Sequence, residues 1–402
     1  MSLVRGACPG LSDPMPTGDG WLVRLTPQGH IGVDAFVALC ALARQHGNGM
    51  MEITPRGNVQ VRGLTPQSAP AFADAVAALR IASASRVPAL TSPLPEDPDA
   101  LIDADAIASV LTAALDQTRL TLAPKVSVAI DGGGRLHLDA VPADVKLRAV
   151  GARLHVTFGG EALGTIAQDN AVPVTMRLLQ AIAAHGPAAR ARDAVRDVRA
   201  AGVDNIAEAP LPPVRRAAEP IGLHPLRDGR LALGVALAFG QAESEALARL
   251  ASSARDHGTR ALRPAPGRAL LLIGLDHDGA ARVVSEAEQL GFITRADDPR
   301  RRVAACAGKP ACASAFLAAR ALAAALAPHL PRHGGAIALH ISGCPKGCAH
   351  PAPAALTVVG DARGAGIVRD GSAAATPQRY LDPANLVGEI ARAMPMSEAA
   401  HD

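Results

Sequence analysis

Aromatic residues are nearly absent: six Phe, one Trp and one Tyr make up 2% of 402 residues. The cores must therefore be built from Ala, Leu and Val, and no stacking surface for nucleic-acid bases accompanies the basic residues. Lysine is scarce too. Of 40 basic residues only Lys125, Lys146, Lys309 and Lys346 are lysines. The net charge of +3 is too mild to argue for nucleic acid. No apolar run approaches the ~18 residues that span a bilayer; even 315–330 is broken by Arg320 and Pro328. At the N-terminus, Arg5, Pro9, Asp13 and Pro14 stand where a signal peptide needs apolar residues. A cytoplasmic protein without membrane or nucleic-acid partners is expected. Six cysteines are too few for a disulfide scaffold, and clustered cysteines in a cytosolic chain point to metal. With 49% hydrophobic and 19% charged residues, the chain is not disordered.

Two proline-rich stretches, 88–98 and 208–225, read as linkers. The second lies near the midpoint, and a repeat runs across it. Segment 20–82 reads as strand 21–25, helix 33–46, strands 51–54 and 59–63, and helix 68–79. Segment 229–293 reads as strand 230–236, helix 242–257, strands 259–263 and 270–274, and helix 279–290. Residues 59–64 stand opposite residues 270–275. A βαββα unit of this kind packs as a ferredoxin-like half. After the first half come a helix at 99–116, a strand at 126–130, a Gly132-Gly133-Gly134 turn, short strands to ~167 and helices at 172–185 and 189–201. After the second come a helix at 312–327, strands at 336–341 and 354–360, and a helix opened by Asp382 and Pro383. The expected fold is α+β with a pseudo-twofold repeat.

Cys306 and Cys312 are spaced C-x5-C, and Cys344 and Cys348 C-x3-C, each pair flanking a turn with Pro, Gly and Lys. Glycine lets the backbone curl around the sulfurs, and backbone N–H groups offset thiolate charge. The spacing fits a 4Fe–4S cluster. A structural zinc site is the plainer reading, although five intervening residues are wide for zinc. Four unrelated core cysteines would not need two Gly/Pro turns. Cys40 has apolar neighbours and reads as core; Cys8 lies outside the set.

The repeat provides an internal control. Its first copy carries Glu52, Thr54, Arg56, Asn58, Gln60 and Arg62 along the inner strands, where the second has leucine and isoleucine opposite Gln60, Val61 and Arg62. The fold does not demand those polar residues. They read either as a solvated sheet face or as a clamp for carboxylates, with Arg as a forked donor.

Ala305-Cys306 through Cys312, followed by Ser342-Gly343-Cys344-Pro345-Lys346-Gly347-Cys348, resembles the cluster motif of the sulfite and nitrite reductases. The resemblance implies ferredoxin-like halves alternating with reductase-type α/β modules. The halves fall at 14–84 and 220–294. The modules fall at 85–207, without a cluster, and 300–395, with it. It also implies that Cys306, Cys312, Cys344 and Cys348 hold a 4Fe–4S cluster, with Cys348 adjoining a sirohaem iron or a mononuclear iron. Thr54, Arg56, Gln60 and Arg62 fall where the reductases bind tetrapyrrole carboxylates, and Arg86 matches another tetrapyrrole-facing arginine across a gap. Leu122-Ala123-Pro124-Lys125-Val126-Ser127 resembles their paired-lysine strand, but only Lys125 remains; with Arg56, Gln60 and Arg62 it is expected to grip substrate carboxylates. Ser127 takes the place of the second lysine and Gly57 that of a glutamine, departures that argue against oxyanion reduction.

Within the superfamily, Cys8-Pro9-Gly10-Leu11, Met15-Pro16-Thr17-Gly18-Asp19-Gly20 and Cys348-Ala349-His350-Pro351 most resemble the branch acting on precorrins in aerobic cobalamin biosynthesis. That resemblance implies a monooxygenase that hydroxylates precorrin-3A with O2 and closes a ring acetate as a lactone. Its cluster relays electrons. No Gly-rich nucleotide loop stands out, so an NADH-linked donor is expected to be a separate protein. His155, His340 and His350 read as ordinary hydrogen-bonded residues rather than iron ligands. The alternatives are a sirohaem-dependent sulfite or nitrite reductase and, from another class, a non-catalytic electron carrier.

Overall fold

The computed structural model describes residues 9–27, 29–81, 87–330, 337–382 and 385–394. Cys8, Arg86 and Pro383 lie outside the described residues.

The first half comprises β1 (Met15–Thr17), β2 (Gly20–Leu25), β3 (Ile31–Gly32), α1 (Val33–His46), β4 (Met50–Ile53), β5 (Val59–Leu64) and α2 (Ser68–Leu79). A larger module follows with β6 (Ala89–Thr91), α3 (Ala104–Asp116), β7 (Val128–Asp131), β8 (Val145–Val150) and β9 (Arg153–Phe158). It closes with β10 (Glu161–Ala167), α4 (Ala171–Ala184) and α5 (Ala191–Ala201). The order then repeats. The second half has β11 (Gly222–Pro225), β12 (Leu231–Ala236), β13 (Gln241–Glu243), α6 (Ser244–Asp256), β14 (Ala261–Ala265), β15 (Ala269–Leu275) and α7 (His277–Gln289). The second module has β16 (Val303–Ala305), α8 (Ala319–Leu326), β17 (Leu339–Ser342), β18 (Ala354–Asp361), β19 (Gly364–Gly371), β20 (Arg379–Tyr380) and α9 (Leu386–Ala393).

Among the described residues these strands form four five-stranded sheets. The two module sheets are built alike. Strands β6, β7 and β8 run parallel and β9 and β10 antiparallel; β16, β17 and β18 run parallel and β19 and β20 antiparallel. The two half-sheets exchange a strand. β13 of the second half pairs with β4 of the first, and β3 of the first pairs with β14 of the second. Across the local axis, Arg56 bridges to Pro266 and the Gly267 N–H donates to the Pro55 carbonyl at 3.1 Å.

Packing follows the periodicity. Along α1, Val33, Phe36, Leu39, Cys40 and Ala43 recur at three- and four-residue steps and are buried. They meet Leu247, Leu250 and Ala251 of α6, so one apolar cluster unites both halves. Each module keeps its own core.

Two expected helices are corrected. The helix read at 99–116 begins at Ala104, because the Asp103 side chain caps the Ala106 N–H at 2.9 Å. The helix read at 312–327 begins at Ala319. Residues 312–318 instead make turns, with the Cys312 N–H on the Gly308 carbonyl (2.8 Å) and the Phe316 N–H on the Gly343 carbonyl (2.7 Å). The last helix, α9, is described from Leu386; its expected opening at Asp382 and Pro383 reaches outside the described residues.

Candidate cofactor and substrate cavity

The chain leaves β16 at Cys306 and β17 at Gly343-Cys344, so two parallel strands present both cysteine turns at one sheet end. The Gly343 N–H donates to Cys306 Sγ at 3.1 Å, and the Ser342 hydroxyl donates to the Cys344 carbonyl at 2.7 Å. Gly308 is left-handed (φ 65°), and a Cβ there would lie 2.4 Å from the Ala319 backbone nitrogen. The β1–β2 hairpin lies over the same loops. The Ala313 N–H donates to the Gly18 carbonyl at 2.8 Å, and a Cβ on Gly18 would fall 2.3 Å from Cys312 Sγ. All four sulfur-bearing residues line a cavity between the two halves and the second module.

Four thiolates around one zinc at ~2.3 Å sit roughly 3.8 Å apart. Among the described residues no three of these sulfurs lie within 4.8 Å of one another. The arrangement is too open for a single zinc and fits a larger multi-iron centre. Burial pushes the Cys306 thiol up, against N–H groups of Gly343 and Gly308. Burial, then the neighbouring Cys344 and Cys306, does the same to Cys348. Such thiols ionise readily only with positive charge placed among them.

The opposite wall is polar. Arg62 makes a bidentate pair with Asp19, both contacts at 2.7 Å, and donates to Glu52 at 3.0 Å. Burial acts to raise the Asp19 pKa, but Arg62 and Thr17 outweigh it and hold the carboxyl below its usual value. Glu52 also accepts from Gln241, a residue of the exchanged β13. Gln60 is buried; with its amide nitrogen toward Glu52, its carbonyl accepts from Arg24 at 2.8 and 3.0 Å. The Thr54 hydroxyl accepts the Asn58 N–H at 3.0 Å and shapes the β4–β5 turn.

The six residues expected to hold substrate therefore separate. Thr54, Gln60 and Arg62 line the cysteine-walled cavity, although Arg62 is already committed to two carboxylates. Arg56 donates to the Pro142 carbonyl at 2.8 Å and lines a second cavity of about 680 Å³, which it shares with Ser127. Lys125 is exposed and lines neither. Arg86 lies outside the described residues. Sequence reasoning passed over Arg24, Gln241 and Arg268 in the wall. Alternation along β2 places Arg24 on the Leu22 face, a signal that was available. Of the histidines, His340 is buried with no partner on either ring nitrogen, and burial with His350 and Arg268 nearby lowers its pKa to about 4. It is neutral. His155 is buried in β9, in the other module.

The alternating halves and modules, with a cysteine-walled cavity at their junction, define the sulfite and nitrite reductase fold. The nitrite/sulfite reductase ferredoxin-like half domain family matches residues 13–79. The structure of the Mycobacterium tuberculosis NirA protein superposes with a TM-score of 0.68 at 18% identity, covering 92% of this chain and 80% of that one. A sulfite reductase [ferredoxin] 2 from Mycolicibacterium paratuberculosis is 30% identical over 145 residues, 34% of this chain and 26% of the relative. A precorrin-3B synthase from Sinorhizobium sp. is 40% identical over 407 residues, spanning 97% of this chain and 88% of the relative. The chain belongs to the precorrin-3B synthase family.

Proposed function

We propose that the chain is a monooxygenase that hydroxylates precorrin-3A with O2 and closes a ring acetate onto the macrocycle as a lactone. The carrying observation is the cavity itself. It is walled by four cysteines on one side and by Arg24, Gln60 and Arg268 on the other. Cys306, Cys312, Cys344 and Cys348 would hold a 4Fe–4S cluster, which supplies electrons one at a time. The chain's own residues bind and orient. Gln60 fixes Arg24 from one side, and the Asp19–Arg62–Glu52 network keeps the hairpin against the cluster loop. Preformed donors of this kind grip carboxylates with little reorganisation. One oxygen atom enters the substrate and the other leaves as water, so two electrons and two protons must arrive from a donor. That donor would be a separate NADH-linked protein. Among the described residues no helix is long and apolar enough to cross a membrane, and a cytoplasmic location is part of this reading.

The test is anaerobic purification followed by reaction with precorrin-3A, O2 and a reducing system. The expected product is heavier by one oxygen atom, and the expected spectrum is a broad violet shoulder. Sharp Soret and red bands, with sulfide or ammonia made from sulfite or nitrite, would overturn the proposal for a sirohaem reductase. An iron group adjoining Cys348, mononuclear or sirohaem, is distinguished by the same spectrum.

A further inference from the structure

The hairpin turns β4–β5 and β14–β15 are equal in length, although Gly267 is left-handed (φ 84°) where its counterpart Arg56 is not. In both, three residues separate the last backbone pair: Thr54 and Asn58 in one, Ala265 and Ala269 in the other. Gly57 therefore matches Arg268, and both are left-handed, at φ 80° and 63°. Glycine occupies that conformation freely and an arginine does not. Arg268 retains a long cationic side chain where its own repeat uses glycine. Such outliers persist where the surroundings require them.

The guanidinium is built into the cavity wall. It donates to the Phe239 carbonyl at 3.3 Å and to the Ala349 carbonyl, next to Cys348, at 3.1 Å. Phe239 is itself left-handed (φ 59°), and a Cβ on Gly240 would lie 2.8 Å from Arg268 Nη1. Three unusual backbone positions thus make room for one side chain. Among the described residues no carboxylate pairs with it. Burial lowers its pKa, and the charge of Glu52 only partly opposes that. Arg62, by contrast, has two acids of its own.

We propose that Arg268 is a specificity residue, contributed by the second half, that receives a carboxylate of the anionic substrate beside the Cys348 loop. This rests on the reading that the cavity takes a polycarboxylate tetrapyrrole. A half-buried guanidinium without a carboxylate partner gains most from an incoming carboxylate, because no resident acid has to be displaced.

The test uses the cluster-loaded protein and uroporphyrin III as a stable octacarboxylate probe, with binding followed by fluorescence. Arg268→Gly restores the residue that the matching turn carries, so folding and melting temperature should hold or improve. Iron content should be unchanged. The dissociation constant should rise roughly ten- to a hundredfold, its salt dependence should become shallower, and Arg268→Lys should recover part of the loss. Unaltered binding in Arg268→Gly would overturn the proposal, and loss of iron together with binding would make Arg268 a tether of the cluster loop instead. If the wild-type protein binds no uroporphyrin at all, the reading of the cavity falls with it.

Discussion

The two modules share a scaffold and differ in what their loops hold. After β6 the chain places Ser92 where Cys306 follows β16, and the Gly132 N–H donates to Ser92 Oγ at 2.9 Å where the Gly343 N–H donates to Cys306 Sγ at 3.1 Å. Further along, the Ala100 N–H reaches the Asp97 carbonyl at 3.1 Å, as the Ala315 N–H reaches that of Cys312 at 3.0 Å. Leu101 bonds the Gly132 carbonyl as Phe316 bonds that of Gly343. Oxygen stands for sulfur at two positions, and Gly133 stands for Cys344. The first module fills its counterpart with ion pairs. Arg215 bridges Asp131 and Asp139, and Arg148 lies 3.6 Å from Asp139. Asp131, His137 and Asp139 come within 4.8 Å of one another, a set able to hold a cation, but the guanidinium already supplies the positive charge. The same strand scaffold carries cysteines in the loops of one module and oxygen side chains or glycine in those of the other.

The largest expected effect tests that contrast directly. Cys344→Ser should abolish bound iron and sulfide, as should the same change at Cys306, Cys312 or Cys348, because a four-thiolate site has no spare ligand. Cys40→Ser, in the shared core of the halves, should leave metal content unchanged. Iron and sulfide analysis decides it. Next, Arg215→Ala leaves buried Asp131 without its partner and should cost roughly 3 kcal/mol, read by urea unfolding, with iron content intact. Equal stability would mean that the first module's loops are not held by charge. Gly18→Ala should be milder. The new methyl must push Cys312 Sγ aside, so iron should be lost faster on dilution than in wild type while the fold survives.

Acid supplies a smaller effect. The folded pKa of Asp19 lies below its ordinary value, so its contribution is fully present above about pH 4 and fades as pH falls through the lower folded value. Asp19→Asn should flatten that acid limb in a pH series of melting temperatures. The smallest effect is a predicted absence of one. Lys125→Ala should leave uroporphyrin binding unchanged, since Lys125 faces solvent outside both cavities; a tenfold loss would restore it to the clamp.

Legibility in the sequence tracked how local the cause was. Helices α1 and α2 run over the same residues as read from apolar spacing, because burial every three or four residues is written within each helix. The alanine-rich run 312–327 misled, since intrinsic propensity favoured a helix through residues that sulfur placement bends into turns. The exchanged strands β3 and β13 are two and three residues long and are set by partners in the other half, so no local pattern announces them. At the site the cysteine motif was plain from spacing and its glycines. The polar wall of the cavity was only half visible: Gln60 and Arg62 stood out against the repeat, but Arg24 and Arg268 look like any other arginine. Arg268 emerges only when the two turns are aligned by length and its left-handed backbone is set beside Gly57. The linker at 208–225 was read as a spacer, whereas Arg148 holds the Pro213 carbonyl at 2.7 Å and His137 Nε2 meets that of Arg216 at 2.7 Å. It is strapped to the first module.

The strand exchange bears on how the polypeptide assembles during synthesis. Gln241, which meets Glu52 across β13 and β4, lies 189 residues downstream of it. Until that segment leaves the ribosome, β4 waits as an open sheet edge, the kind of surface that recruits other chains. Pairing at such separation is slow, and neither half can complete its sheet with its own residues. A gene fragment encoding the first half alone should therefore yield aggregate or a strand-swapped dimer. The duplicated architecture matures as one cooperative unit, and the cavity at its junction exists only after the second half has arrived.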